Sequence, residues 1–330
     1  MKAQLQRHWF LIGLFAVIFA GLMWPEGGTQ IRNHKWITPL FIAMIMFIAG
    51  FNLRLHNCVQ QMVNLRAVGA GVATVYLAAP LLAFGLAKLL APAKDPDHEF
   101  LVGMMLMSAQ AGSLASAVAM TLLARANTEL ALMLTLVTNL LTVMLTPLVL
   151  DFSLGAKVKF PVSEMMSLMV LVMLLPVLIG QFVRWKLWPS DKEPPTSFRY
   201  APQLIILVFV YTGFSAAADK LVDRWEMILR FATACAALHL ALLWFAKKLG
   251  EQLKLDEGAS TALMFCGSQK TLPNGVYLWD KYFSVSQPYA AVPLVLYHLF
   301  QLVLDTVIAS RIGAESERAK KSADAPHATA

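Results

Sequence analysis

The residue types most able to do chemistry lie together in Met264-Phe265-Cys266-Gly267-Ser268-Gln269-Lys270-Thr271-Leu272-Pro273-Asn274-Gly275. This stretch sits inside an apolar segment, Ala259 to Tyr282, yet carries a lysine, two amides, two hydroxyls, two glycines and a proline. Glycine loosens a helix, and proline removes a donor and clashes with the preceding turn. Backbone groups freed at membrane depth are tolerated only within protein or beside a water-filled cavity. A charged lysine at the centre of a spanning helix costs about 2.5–3.5 kcal/mol on insertion scales, so such a residue marks a functional site. Three things can offset that cost for Lys270: a carboxylate partner, for which Asp305 is the candidate, a neutral amine, or hydration in an open cavity. The composition predicts a broken helix lining a site, with Gly267, Ser268, Gln269, Lys270 and Thr271 at its centre.

A second polar island reads Ser108-Ala109-Gln110-Ala111-Gly112-Ser113-Leu114-Ala115-Ser116. Small residues here serve either close helix packing or an unwound point where a half-helix N-terminus offers amides to an anion. Gly112, Ser113 and Ser116 are its candidate site residues. Thr135, Thr138, Asn139, Thr142 and Thr146 follow at helical spacing and share one face. Hydroxyls on such a stripe commonly bond back to their own helix. An asparagine amide needs other partners, so Thr135 and Asn139 are expected to face the island. Near the C-terminus His298, Gln301 and Asp305 share a face. His298 and Asp305 are candidates for proton handling or an ion pair.

The elements that must position these residues are apolar runs. The chain has 330 residues, is 58% hydrophobic and 14% charged, which is the composition of an all-α polytopic membrane protein. A net charge of +7 raises the question of nucleic acid, but the basic residues lie in short loops, where topology and lipid headgroups account for them. No nucleic-acid partner is expected. The three cysteines, Cys58, Cys235 and Cys266, form no disulfide framework or metal spacing, and no catalytic triad, phosphate loop or nucleotide fingerprint is present. No cofactor or metal is expected, and no enzyme activity.

Ten apolar runs occur at about 9–24, 36–53, 67–90, 100–124, 129–150, 164–183, 200–218, 226–246, 259–282 and 289–311, with breakers such as Pro25-Glu26-Gly27-Gly28 between them. Trp24-Pro25-Glu26 offers no cleavage site, so the first run is kept as a membrane helix. With the N-terminus inside, inner segments hold 16 lysines and arginines and outer ones 10, which favours two cytoplasmic termini. Gly112-Ser113 and Gly267-Ser268 lie 155 residues apart, and the same shift carries run one onto run six. It also places Leu114, Ala115 and Ser116 on Gln269, Lys270 and Thr271. Five helices repeated twice insert upside down relative to each other, with the site at the bilayer midplane. The expected domains are a first repeat over 1–150, an inverted repeat over 151–312 and a disordered cytoplasmic tail over 313–330.

Cys266-Gly267-Ser268-Gln269-Lys270-Thr271-Leu272 with Asn274-Gly275 resembles the signature of the SBF-like branch of the bile acid:sodium symporter superfamily. Ser116-Ala117-Val118, Thr146-Pro147-Leu148, Val210 to Ser215, and Pro293-Leu294 with His298, Gln301 and Leu302 agree with it. The likeness spans Trp9 to Ile312. It implies ten transmembrane helices in two inverted five-helix repeats, panel and core domains, and broken fourth and ninth helices that cross. It also implies alternating-access carriage of organic anions. In sodium-coupled relatives, a serine and asparagine after the fourth-helix break, fifth-helix hydroxyls, and a ninth-helix glutamate and glutamine bind sodium. Ser116, Thr135, Asn139 and Gln269 match those places, while Ala117 and Phe265 replace the asparagine and the glutamate. The branch's usual fourth-helix proline and glutamine fall on Ala111 and Ala115.

Together these readings predict an inner-membrane secondary transporter of a small organic anion, surrounded by lipid, with sodium or a proton as coupling ion. Lys270 would take the place of a bound cation and fix the anion. The alternatives are a membrane regulatory protein that keeps the fold without transport, or an intramembrane enzyme. The sequence leaves the substrate and the oligomeric state open.

Overall fold

The computed structural model describes residues 2–52, 64–93, 95, 98–155, 158, 160–188, 192–221 and 225–323. Arg54, Cys58, Lys94, Lys157, Lys159 and Arg224, which enter the cysteine and charge arguments above, lie outside them. The regular structure of the described residues is helical, with no strand among them. In chain order the helices are α1 (Lys2–Met23), α2 (Pro25–Asn33), α3 (Ile37–Asn52), α4 (Leu65–Leu90), α5 (Glu99–Ser108), α6 (Ser116–Leu123) and α7 (Thr128–Leu154). They continue with α8 (Val162–Leu187), α9 (Ser197–Leu221), α10 (Trp225–Gln252), α11 (Glu257–Ser268), α12 (Leu272–Leu278) and α13 (Val292–Ala323).

Runs four and nine are each divided in two, as α5 with α6 and α11 with α12; each of the other runs falls on one helix. Among the described residues, five helices are long and apolar enough to cross a bilayer alone: α4, α7, α8, α10 and the stretch Pro288–Arg318 containing most of α13.

Two local expectations are corrected. Pro25-Glu26-Gly27-Gly28, expected as a breaker between runs, opens a helix of its own, α2, which turns 92° from the preceding helix. Proline suits the first turn of a helix, where its missing N–H has no partner to lose, and Glu26 favours the positive helix start. The tail from residue 313 does not begin as disordered chain, because α13 continues to Ala323. Alanine, glutamate and arginine are strong helix formers, and Glu317 reaches Arg125 at 2.7 Å.

Polar caps set the helix starts that matter. Asn127 accepts from Leu130 N at 2.9 Å before α7, and Asp256 from Ala259 N at 2.8 Å before α11. Prolines produce the irregularities. In α4 the turn Thr74–Ala78 widens to π geometry just before Pro80, and in α8 Val170–Leu174 does so before Pro176. A proline N cannot close the regular ladder, and the helix accommodates this by an extra residue in the turn.

The helices pack as two groups. α1, α2, α3, α8 and α9 associate chiefly with each other, α3 against α8 and α1 against α9. α4 to α7 and α10 to α13 form the other group, which contains both divided runs. Gly50 and Gly180 let α3 and α8 approach backbone to backbone: a Cβ on either would run into a carbonyl of the other helix.

Candidate functional site

The two interruptions meet. Gln269, Lys270 and Thr271 are extended between α11 and α12, with ψ of 149° at Gln269 and 128° at Thr271. Pro273 is the local cause. In a continuous helix its nitrogen would have to bond the carbonyl of Gln269, and it has no hydrogen to give. Between α5 and α6 no proline acts; instead, other elements take the carbonyls of Ala109 to Gly112.

Four successive carbonyls show this. Thr146 Oγ1 of α7 donates to Ala109 O at 2.6 Å. Lys270 Nζ donates to Gln110 O at 3.0 Å. The Thr271 N–H donates to Ala111 O at 2.9 Å, joining the two breaks directly. Asn139 Nδ2 donates to Gly112 O at 2.8 Å and to Thr135 O at 2.8 Å. Each acceptor left by the broken helix is thus satisfied from outside it, as buried backbone requires.

Lys270 is 3% exposed. Besides Gln110 O, its amine donates to Val75 O in the π turn of α4 at 2.9 Å. Gln301 clamps the lysine's backbone: Lys270 N donates to Gln301 Oε1 at 2.8 Å, and Gln301 Nε2 donates to Lys270 O at 3.0 Å. The same Nε2 lies 2.9 Å from His298 Nδ1.

Asp305 is not the partner of Lys270. Its Oδ1 lies 2.9 Å from His239 Nε2, and its Oδ2 accepts from Gln269 Nε2 at 2.7 Å, all fully buried. Asp305 and His239 belong to α13 and α10, while Lys270 points to the other side of the break, toward α4 and α5. Gln269 Oε1 accepts from Ser116 Oγ at 2.5 Å, and the Ser113 and Ser116 hydroxyls are 2.6 Å apart. Tyr297 donates to Ser268 O at 2.6 Å and lies 3.3 Å from His239 Nδ1. A continuous polar chain therefore runs from Tyr297 through His239, Asp305 and Gln269 to the first turn of α6.

The remaining expected residues divide. Thr135 and Thr138 bond carbonyls of their own helix, at 2.9 Å to Ala131 O and Leu134 O. Gly112 stands at the crossing, where a Cβ would lie 2.7 Å from Cys266 O. Gly267 packs elsewhere: its Cβ would meet Thr74 Cγ2 of α4 at 2.8 Å, not the facing break. Two residues in the network lacked a sequence signal tied to the motifs, His239 and Tyr297. An intramembrane histidine amid the apolar run 226–246 was the available cue. Gln110 and Asn274 are joined side chain to side chain across the breaks.

A small cavity lies where the two helix groups meet. Met46, Gly50, Met173 and Val177 line it from one group, Leu114 and Asn139 from the other. Asn139 Oδ1 has no hydrogen-bond partner among the described residues. The site therefore offers an apolar wall, one free buried acceptor and the start of a half-helix.

Residues 8–314 match the SBF-like CPA transporter family. An uncharacterized protein of Pseudomonas aeruginosa is 29% identical over 325 residues, covering 96% of each chain. Sodium/bile acid cotransporter 7-B of Xenopus laevis is 24% identical over 323 residues, 94% of this chain and 92% of the other. Sodium/bile acid cotransporter 7 of Mus musculus is 24% identical over 318 residues, 93% of each. The match covers the candidate site and nearly all of the described helices, and it is a match to carriers rather than to enzymes: the chain is a multi-pass membrane protein that belongs to the SBF-like CPA transporter family.

Proposed function

We propose that the protein is a secondary active transporter of a small organic anion, resident in the cell inner membrane with both termini cytoplasmic. The single observation that carries this reading is the break-to-break bond, Thr271 N to Ala111 O at 2.9 Å, between two interrupted helices. Discontinuous helices meeting within a membrane bundle form the substrate and ion sites of carriers built from inverted repeats. On this reading ten helices form two inverted repeats. The group containing both breaks moves against the group containing α3 and α8, exposing the cavity beside Asn139 first to one side of the membrane and then to the other.

Gly112, Ser113, Ser116, Thr135, Asn139 and Gly267 to Thr271 form or support the site. The half-helix α6 turns its N-terminus, with Ser113 and Ser116, toward the junction, and a helix start favours negative charge. The apolar wall suits the hydrophobic part of an amphipathic anion. The names of the cotransporter relatives, which pair sodium with bile acid, support the same substrate class. Sodium or a proton drives the cycle.

Thermal melts of the purified protein with a panel of organic anions, in sodium and in choline and at two pH values, test the reading. At least one anion should raise the melting temperature, and either sodium or acid should enhance that rise. If stabilising anions enter proteoliposomes no faster than they enter protein-free vesicles, the transport reading fails.

A further inference from the structure

Lys270 holds an unusual position for a buried amine: its two acceptors are main-chain carbonyls, and among the described residues no carboxylate pairs with it. The origin of both carbonyls is visible. In α4 the Ala79 N–H donates to Thr74 O, five residues back, and Pro80 has no N–H. Val75 O is therefore left without a donor from its own helix. Gln110 O lies just beyond the end of α5, where the broken helix supplies no donor either. Carbonyls orphaned by irregular helices and facing one buried point are donors of the kind that coordinate a monovalent cation in carriers, and two of them suffice for an ammonium group.

We propose that this point is a cation site occupied in cis. The Lys270 amine fills it permanently, joining the π turn of α4 to the α5 break from its own place in the α11 break, so that no free ion is needed there. The amine is a positioning group. It holds three irregular segments in register. Gln301 supports this role by fixing the lysine's backbone N–H and carbonyl, which aims the side chain away from Asp305. The proposal goes beyond the transport reading and does not depend on it, because its test needs neither a substrate nor a flux.

Lys270→Ala removes three methylenes and the amine, leaving a cleft shaped for n-propylammonium. The variant should melt several degrees below the parent. Millimolar n-propylammonium chloride should restore most of that loss, whereas tetramethylammonium, which has no N–H to donate, should not, and the parent should respond to neither. An equal response of variant and parent to propylammonium would overturn the proposal. A second comparison covers a variant too unstable to purify. Pro80→Ala returns an N–H to α4 and lets the turn revert to regular helix, in which Val75 O has its own donor. Lys270→Met should then lower the melting temperature less in the Pro80→Ala background than in the parent. The same loss in both backgrounds would show that the orphaned carbonyl is not what the lysine serves.

Discussion

His239 Nε2 and Asp305 Oδ1 lie 2.9 Å apart with neither side chain exposed, and the second carboxylate oxygen of Asp305 takes Gln269. The carboxylate is therefore bound on one side to an intact helix and on the other to the extended break. Removing one partner of such a buried pair leaves a polar group uncompensated, at a cost of about 3–5 kcal/mol, whereas replacing both with apolar residues is often neutral. His239→Leu should be strongly destabilising in denaturant unfolding, and His239→Leu with Asp305→Leu should recover a large part of the loss. If the double variant is as unstable as the sum of the two singles, the two residues do not act as a pair.

Gln301 pairs with both backbone polar groups of Lys270. Gln301→Leu strands a buried N–H and a buried carbonyl, at about 1–3 kcal/mol for each unsatisfied group. Gln301→Asn keeps the neutral amide on a side chain one methylene shorter, so its cost should fall between that of leucine and zero. Thermal melts of the two variants should rank parent, asparagine, leucine. A leucine variant as stable as the parent would remove the clamp.

Gly112 and Gly267 should differ in how they can be rescued. A methyl at Gly112 meets a backbone carbonyl, Cys266 O, at 2.7 Å, and a main chain held by both breaks cannot yield. A methyl at Gly267 meets the end of a side chain, Thr74 Cγ2, at 2.8 Å. Overpacking of this kind costs about 1–3 kcal/mol. Thr74→Ser should restore stability to Gly267→Ala, and no single side-chain trimming should restore Gly112→Ala. Melting temperatures of the two singles and the Thr74→Ser double decide it, and a Gly267→Ala variant that Thr74→Ser leaves unimproved would place the close contact elsewhere.

Topology is testable with two exposed positions, Glu26 in α2 and Lys192 ahead of α9. Single cysteines there, in a background without Cys58, Cys235 and Cys266, should react differently with an impermeant thiol reagent added to intact cells. The excess of basic residues in alternate segments predicts labelling at Glu26 and protection at Lys192. Labelling at Lys192 would reverse the orientation.

The sequence by itself determined the class of the protein and the position of the ninth-run break. Long apolar runs can be satisfied in lipid only as helices, and Pro273 forbids the bond that would carry a helix through Gln269. It also marked Lys270 as costly to bury, because the desolvation of an amine does not depend on its neighbours' identity. What only the tertiary structure decided is who satisfies whom. The fourth-run break has no proline and exists because Thr146, Asn139, Lys270 and the Thr271 N–H arrive from other elements to take its carbonyls. Asp305 was the natural partner for Lys270 on charge alone, yet it faces His239 from the run 226–246, while the lysine turns to two backbone oxygens. Periodicity along one helix cannot report this. The hydrogen bonds that decide it close over 2.7–2.9 Å between residues 36 to 195 positions apart, and the direction of a side chain at a break follows from how the helices cross.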